Sequence, residues 1–140
     1  MYLVVDSNVV ISALMKKGNV SEIFSLNIIL EKFKLIAPNF LILEIGKHTE
    51  KIMKKTQLSK EMLEENLELL IDQITFVSDE NFKDKIEEAR ELLKNHEKDV
   101  PYLALALAFN CKIFSGDKVL KSIIPDRVES PREILNKFND

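Results

Sequence analysis

The chain has 140 residues, 46% hydrophobic and 31% charged, with a formal net charge of -3. That length suits one domain spanning residues 1–140 around one core, and the composition excludes a disordered tail or a fibrous repeat. Gly18, Gly46 and Gly116 stand too far apart for a G-x-G-x-x-G fingerprint or a Walker A loop, which removes dinucleotide and P-loop nucleotide binding. Cys111 stands alone, and His48 and His96 are too separated for HExxH, so disulfide, thiol and zinc chemistry drop out as well. Met1 to Asp6 form no basic leader, and no apolar run reaches the about 18 residues a membrane helix needs. The expectation is a cytoplasmic chain with no membrane partner. Residues 1–60 hold nine lysines against five acids, whereas residues 61–140 hold eleven basic residues against eighteen acids. The acidic total argues against a passive nucleic-acid coat and leaves room for an acidic centre that carries cations.

In chain order, Leu3 to Val5 reads as a buried strand ending at Asp6, followed by helices over Val9 to Met15 and over Ser21 to Leu30 with Ser21 as N-cap. Phe33 to Ala37 reads as a second strand stopped by Pro38, then helices over Phe40 to Lys55 and, capped by Ser59, over Lys60 to Gln73. Ile74 to Val77 is a third strand. Helical spacing of Phe82, Ile86, Ala89 and Leu93 predicts a helix over Asn81 to Asn95. Asp99 and Pro101 open another over Val100 to Asn110, apolar around most of its circumference. Lys112 to Ser115 is a fourth strand, a short stretch at Val128 a fifth, and Pro131 starts a last helix over Arg132 to Phe138. Alternating strands and helices predict an α/β fold with a mainly parallel sheet covered on both faces.

Ligands in such a sheet bind beyond the carboxyl ends of the strands, where helix N-termini also gather. Asp6 follows the first strand and Asp117 follows the fourth by one glycine. Asp99 opens the helix that crosses back over the sheet, and Glu44 lies near the start of the helix after Pro38. Each has an ordinary reading: Asp6, Ser7 or Asp99 as a helix cap worth about 1 kcal/mol, Asp117 as a turn residue, Glu44 as part of a solvated stripe. Apolar neighbours Leu41, Ile42, Leu43 and Ile45 weaken the last of these. Four acids on one rim also need an electrostatic explanation. Two carboxylates about 5 Å apart at an effective dielectric of about 20 repel by about 3 kcal/mol, so such a cluster needs protons or a cation. Oxygen-only donors favour Mg²⁺ or Mn²⁺, ions that most often meet phosphates.

Val4-Val5-Asp6-Ser7-Asn8, Glu44, Asp99-Val100-Pro101-Tyr102-Leu103-Ala104-Leu105-Ala106, Ser115-Gly116-Asp117-Lys118 and Ser130-Pro131-Arg132-Glu133-Ile134-Leu135 together resemble the PIN domain. The resemblance covers essentially the whole chain and is strongest to prokaryotic toxins of toxin-antitoxin systems, which include VapC-like ribonucleases. It implies a single PIN-like α/β/α domain with a five-stranded parallel sheet of order 3-2-1-4-5. It also implies a quartet of Asp6, Glu44, Asp99 and Asp117 that binds Mg²⁺ or Mn²⁺ for hydrolysis of RNA phosphodiester bonds. In that scheme Asp6 and Asp117 hold the principal ion, Asp99 completes its shell, and Glu44 positions the attacking water or a second ion. Asn8 and Ser115 hydrogen-bond behind them, or serve only as a helix-start amide and a turn hydroxyl. Many relatives place a further acid two residues after the last quartet member, where this chain has Val119, so a second metal site is in doubt. RNA, a cognate antitoxin and a second copy of the chain are the partners implied.

Lys47, Lys51, Lys54 and Lys55 recur at helical spacing on the segment bearing Glu44, where they either guide an RNA backbone or form a solvated face. A haloacid-dehalogenase-like phosphotransferase also begins with an Asp after its first strand, but it needs a second Asp where this chain has Asn8. A PIN-like module that binds RNA or a partner without cleaving is the other alternative.

Overall fold

The computed structural model describes Met1 to Asn139. Strands β1 (Tyr2–Val5), β2 (Lys34–Pro38), β3 (Ile74–Val77), β4 (Lys112–Phe114) and β5 (Val128–Glu129) form one parallel sheet in the order β3-β2-β1-β4-β5. The helices are α1 (Ser7–Leu14), α2 (Val20–Leu30), α3 (Phe40–Thr56), α4 (Lys60–Ile71), α5 (Ile86–Leu93), α6 (Val100–Phe109), α7 (Lys118–Ile123) and α8 (Pro131–Lys137).

β1 takes the centre because Leu3, Val4 and Val5 are apolar on both faces, each at most 2% exposed. Val4 pairs with Ile36 on one side and Ile113 on the other. Right-handed crossovers then decide the layers. The β1-β2 and β2-β3 connections step one way across the sheet, and the β3-β4 and β4-β5 connections step the other way. This puts α1 to α4 on one face and α5 to α7 on the opposite face. The packing agrees: α1 touches α2, α3 and α4, whereas α6 lies on β1, β2 and β4 with α5 against it. The all-round apolar character of α6 follows from that position, since it is covered by both the sheet and α5. The direction of connection reverses between β1 and β4. In open α/β sheets the ligand crevice opens at such a reversal, past the carboxyl ends of the strands.

Two local expectations need correction, and one helix was not expected from the sequence. The expected helix over Asn81 to Asn95 begins as two 3₁₀ turns, Asp79–Asn81 and Lys83–Lys85, and becomes α-helical only at Ile86. Phe82 breaks it: at φ -139° and ψ 6° it is neither helical nor extended, and its ring sits in the core at 2% exposure. Helix α2 starts at Val20 with Asn19 at its N-cap, so Ser21 caps nothing; Gly18, at φ +59°, turns the chain into the helix early. Helix α7 has too few residues for a period to show in the sequence and is set by its cap, Asp117.

Candidate active site

Asp6 leaves β1 at the reversal point, 4% exposed, and its backbone N–H donates to the Phe114 carbonyl of β4 at 3.1 Å. Although Asp6 occupies the N-cap position of α1, its side chain makes no cap bond. Its Oδ2 instead accepts from Asn8 Nδ2 at 2.8 Å and from Ser115 Oγ at 2.8 Å. Asn8 also donates to Ser115 Oγ at 3.0 Å and accepts from the Gly116 N–H at 3.1 Å. Ser115, 2% exposed, further accepts from the Asp117 N–H at 3.1 Å. Asn8 and Ser115 thus tie the β4 turn to the Asp6 carboxylate, more than a hundred residues away, and leave Oδ1 outside both side-chain bonds.

Asp117 is the N-cap of α7, its Oδ1 accepting from Val119 N–H at 2.9 Å and Leu120 N–H at 3.1 Å. Glu44, in the second turn of α3 and half-buried, accepts at Oε1 from the Tyr102 hydroxyl. Asp99 precedes α6 in an αR conformation and caps nothing with its side chain. Of the ordinary readings, side-chain capping fails for Asp6 and Asp99, and Asp117, read as a turn residue, is instead the N-cap of α7. In Asp6, Glu44 and Asp117 one carboxylate oxygen takes all the side-chain-directed bonds, which fixes the group and leaves its other oxygen available.

The four acids feel one another. Burial raises Asp6 to a pKa of about 7, opposed by the Ser115 bond and assisted by the charges of Asp99 and Glu44. Asp99 rises to about 6, mainly through burial and then through Asp117 and Glu44, with His96 and Lys98 pulling the other way. Among the described residues, no lysine or arginine forms an ion pair with any of the four. No three of the described His, Cys, Asp and Glu side chains are drawn together tightly enough to hold a metal ion as they stand. The donor chemistry nevertheless fits a hard divalent cation: oxygen ligands only, anchored on one side by neutral donors, with a deficit of positive charge.

Lys47, Lys51, Lys54 and Lys55 are exposed along α3 and lead away from Glu44 toward the far end of the helix. His48 and His96 are exposed. Val119 is 56% exposed, so the position where relatives carry a further acid faces solvent. Beside the acids, Phe40, Leu43, Phe82, Ile86 and Pro101 line an open apolar cleft of about 750 Å³. Tyr102 is the site residue that sequence reasoning passed over. Its signal was available: it is the one hydroxyl in an otherwise apolar helix, three residues after Asp99.

A three-layer α/β/α fold with the buried Asp6 carboxylate at its reversal point, facing the charges of Asp99 and Glu44, defines the class. The PIN domain model matches residues 4–125, and the chain belongs to the PIN domain family. Asn8, which donates to Asp6 where a dehalogenase-like enzyme needs a second acid, removes that alternative from the residue side as well. Among solved structures, the chain resembles the crystal structure of VapBC2 from Rickettsia felis bound to a DNA fragment from their promoter. The TM-score is 0.70 at 15% identity, over 93% of this chain and 98% of that one, a likeness of fold. No curated protein matches the sequence.

Proposed function

We propose that this PIN domain, reading residues 1–140 as one such unit, is a metal-dependent ribonuclease that hydrolyses RNA phosphodiester bonds. One observation carries the reading: the buried Asp6 carboxylate leaves the sheet's reversal point facing the charges of Asp99 and Glu44, with neutral donors and, among the described residues, no ion-paired lysine or arginine. Asp6, Glu44, Asp99 and Asp117 would hold Mg²⁺ or Mn²⁺. Such an ion, when bound, polarises a phosphate and makes hydroxide available near neutral pH. Asn8 and Ser115 hold the Asp6 carboxylate through Oδ2, and the two α7 amides hold Asp117 through Oδ1. Asp6 and Asp117 are assigned as principal ligands, Asp99 as the acid that completes the set, and Glu44 as the group that orients the attacking water. Lys47, at the near end of the lysine row, would meet the RNA backbone first.

The fold shared with the VapBC2 complex supports reading the chain as the toxin of a toxin-antitoxin pair, with an antitoxin and a second copy of itself as partners in the cytoplasm. No described helix is long and apolar enough to cross a membrane. The exposed Val119 favours one ion rather than two and keeps a non-cleaving RNA- or partner-binding module as the second reading. A ribonuclease assay on wild type and Asp6→Asn, each with Mn²⁺ and with EDTA, tests the proposal. Cleavage is expected only from wild type with Mn²⁺. Cleavage that survives in Asp6→Asn with EDTA overturns it, and binding of RNA without cleavage in any arm selects the second reading.

A further inference from the structure

Tyr102 is 1% exposed on α6, and its ring packs edge-on against Phe40 of α3 with centroids 6.2 Å apart. Its hydroxyl donates to Glu44 Oε1, and the Ser7 side chain hydrogen-bonds the same phenol. A buried tyrosine hydroxyl must find an acceptor. This one takes the single acid that α3 contributes to the crevice, joining α1, α3 and α6 at one point. Asp6 is held by Asn8 and Ser115 and Asp117 by the first amides of α7, but Glu44 projects from the second turn of α3 on a side chain of three torsions. Nothing else among its described hydrogen bonds fixes it.

We propose that Tyr102 is a positioning residue for the cleavage reaction, holding the Glu44 carboxylate by Oε1 so that Oε2 is presented to the divalent ion. This rests on the ribonuclease reading above. An unrestrained Glu side chain would lose its rotamer freedom when the ion binds, and that entropy opposes binding; the phenol has already ordered it. Partners that orient a ligand in this way change metal affinity or activity by about 10- to 100-fold when removed.

Tyr102→Phe keeps the ring and deletes the hydroxyl. Mn²⁺ would be titrated by calorimetry into metal-free wild type and variant, with far-UV spectra compared first. The expected result is an affinity lower by about 10- to 100-fold, with cleavage recovering at high Mn²⁺ while the KM for RNA stays put. Unchanged or tighter Mn²⁺ binding by the folded variant overturns the proposal. A second measurement does not depend on that variant folding. The chain has two tyrosines and no tryptophan, so Tyr2→Phe leaves Tyr102 as the sole emitter near 300 nm, on the order of the usual phenol band. A carboxylate acceptor quenches phenol emission, and an ion bound to the same carboxylate weakens that hydrogen bond. Emission should therefore rise saturably with Mg²⁺ over the range where a parallel Mg²⁺ calorimetric titration of Tyr2→Phe records binding, and EDTA should reverse it; flat emission over that range overturns the proposal. If wild type neither binds Mn²⁺ nor cleaves RNA, the ribonuclease reading fails and this inference with it. If wild type does both and Tyr102→Phe matches it, the inference alone falls.

Discussion

Asp6 and Glu129 are carboxylates at the carboxyl ends of parallel strands, each 4% exposed, and their surroundings differ in kind. Glu129, on the edge strand β5, pairs with Lys137 of α8 and lies 3.9 Å from Lys112 of β4. Asp6, on the central strand, receives hydrogen bonds from an amide and a hydroxyl and faces other acids. Glu133 extends the contrast: its capping box with Ser130 and its bond to Lys121 hold its pKa down at about 2. Glu129 and Glu133, which serve the fold, each have a lysine. Among the described residues Asp6, Glu44, Asp99 and Asp117 have no such partner, and the proposed reading takes that deficit as room for a cation that is not part of the polypeptide.

The largest effect that would break this contrast is on catalysis. On the proposed reading, Asp6→Asn or Asp117→Asn removes an anionic ligand and should lower the cleavage rate beyond the about 100-fold that changes behind the ligands produce. Glu129→Gln should leave the rate within a few-fold of wild type. Single-turnover cleavage with saturating Mn²⁺ reads both, and equal losses at Asp6 and Glu129 would erase the distinction.

Stability should separate the two acids in sign. In EDTA at pH 8, Asp6→Asn relieves repulsion and should raise the melting temperature by about 2–4 °C for each kcal/mol relieved. Glu129→Gln strips the partner from Lys137 and should cost about 2 kcal/mol. Excess Mn²⁺ binds the folded state and should raise the melting temperature of wild type and Glu129→Gln, but not that of Asp6→Asn. A metal shift of equal size in Asp6→Asn would remove Asp6 from the ligand set.

The pH windows follow from the same difference. Asp6 and Asp99, with folded pKa values near 7 and 6 against an ordinary 3.8, hold protons in the native state that the unfolded chain has released. Their stabilising effect is present at pH 4 and is lost as pH climbs toward 7, so metal-free protein should melt lower at pH 8 than at pH 5 by more in wild type than in Asp6→Asn. Mn²⁺ must displace those protons, so its affinity should rise over the same interval. Glu133 works oppositely, since its folded pKa is depressed: its contribution is full above about 4.5 and is lost only as pH falls toward 2. Calorimetric titrations and melts from pH 5 to 8 check the first two statements.

How much of this was legible in the sequence depended on whether the feature was local. β1 is legible because Leu3 to Val5 is apolar on both faces, and Asp6 stands at its end as a visible break. Strand position put Asp117 on the expected rim, the helix crossing back over the sheet put Asp99 there, and crossover direction supplies the reason that the strands before Asp6 and Asp117 flank the reversal point. Phe82 misled because helical spacing cannot show that a side chain will abandon the helix to reach the core. Tyr102 was passed over for a related reason: its packing argued for core, and the hydroxyl's acceptor, Glu44, lies 58 residues earlier in the chain. Nor could spacing show that Asp99 would leave its helix uncapped, which is what separates it from an ordinary N-cap.

The smallest effects concern Lys47, Lys51, Lys54 and Lys55, and they sharpen the contrast from outside the crevice. A helix rises 1.5 Å per residue, so Lys47 lies about 4–5 Å along α3 from Glu44 and Lys55 about 16 Å. If the row guides an RNA backbone toward the acids, each lysine should matter less with distance: Lys47→Ala should raise KM several-fold, and Lys55→Ala should do almost nothing with a short substrate. For every phosphate that a variant no longer neutralises, the salt dependence of binding should flatten by about 0.7 in the logarithmic slope for single-stranded RNA. A solvated face predicts no such gradient, because Lys54 and Lys55 in the last turn of α3 then serve chiefly the helix's own C-terminal dipole. In that case their removal lowers the melting temperature slightly and leaves KM and its salt slope alone. Measuring KM against ionic strength for the four single variants on one short RNA decides between the readings, and uniform, salt-independent KM values would assign the whole row to the fold.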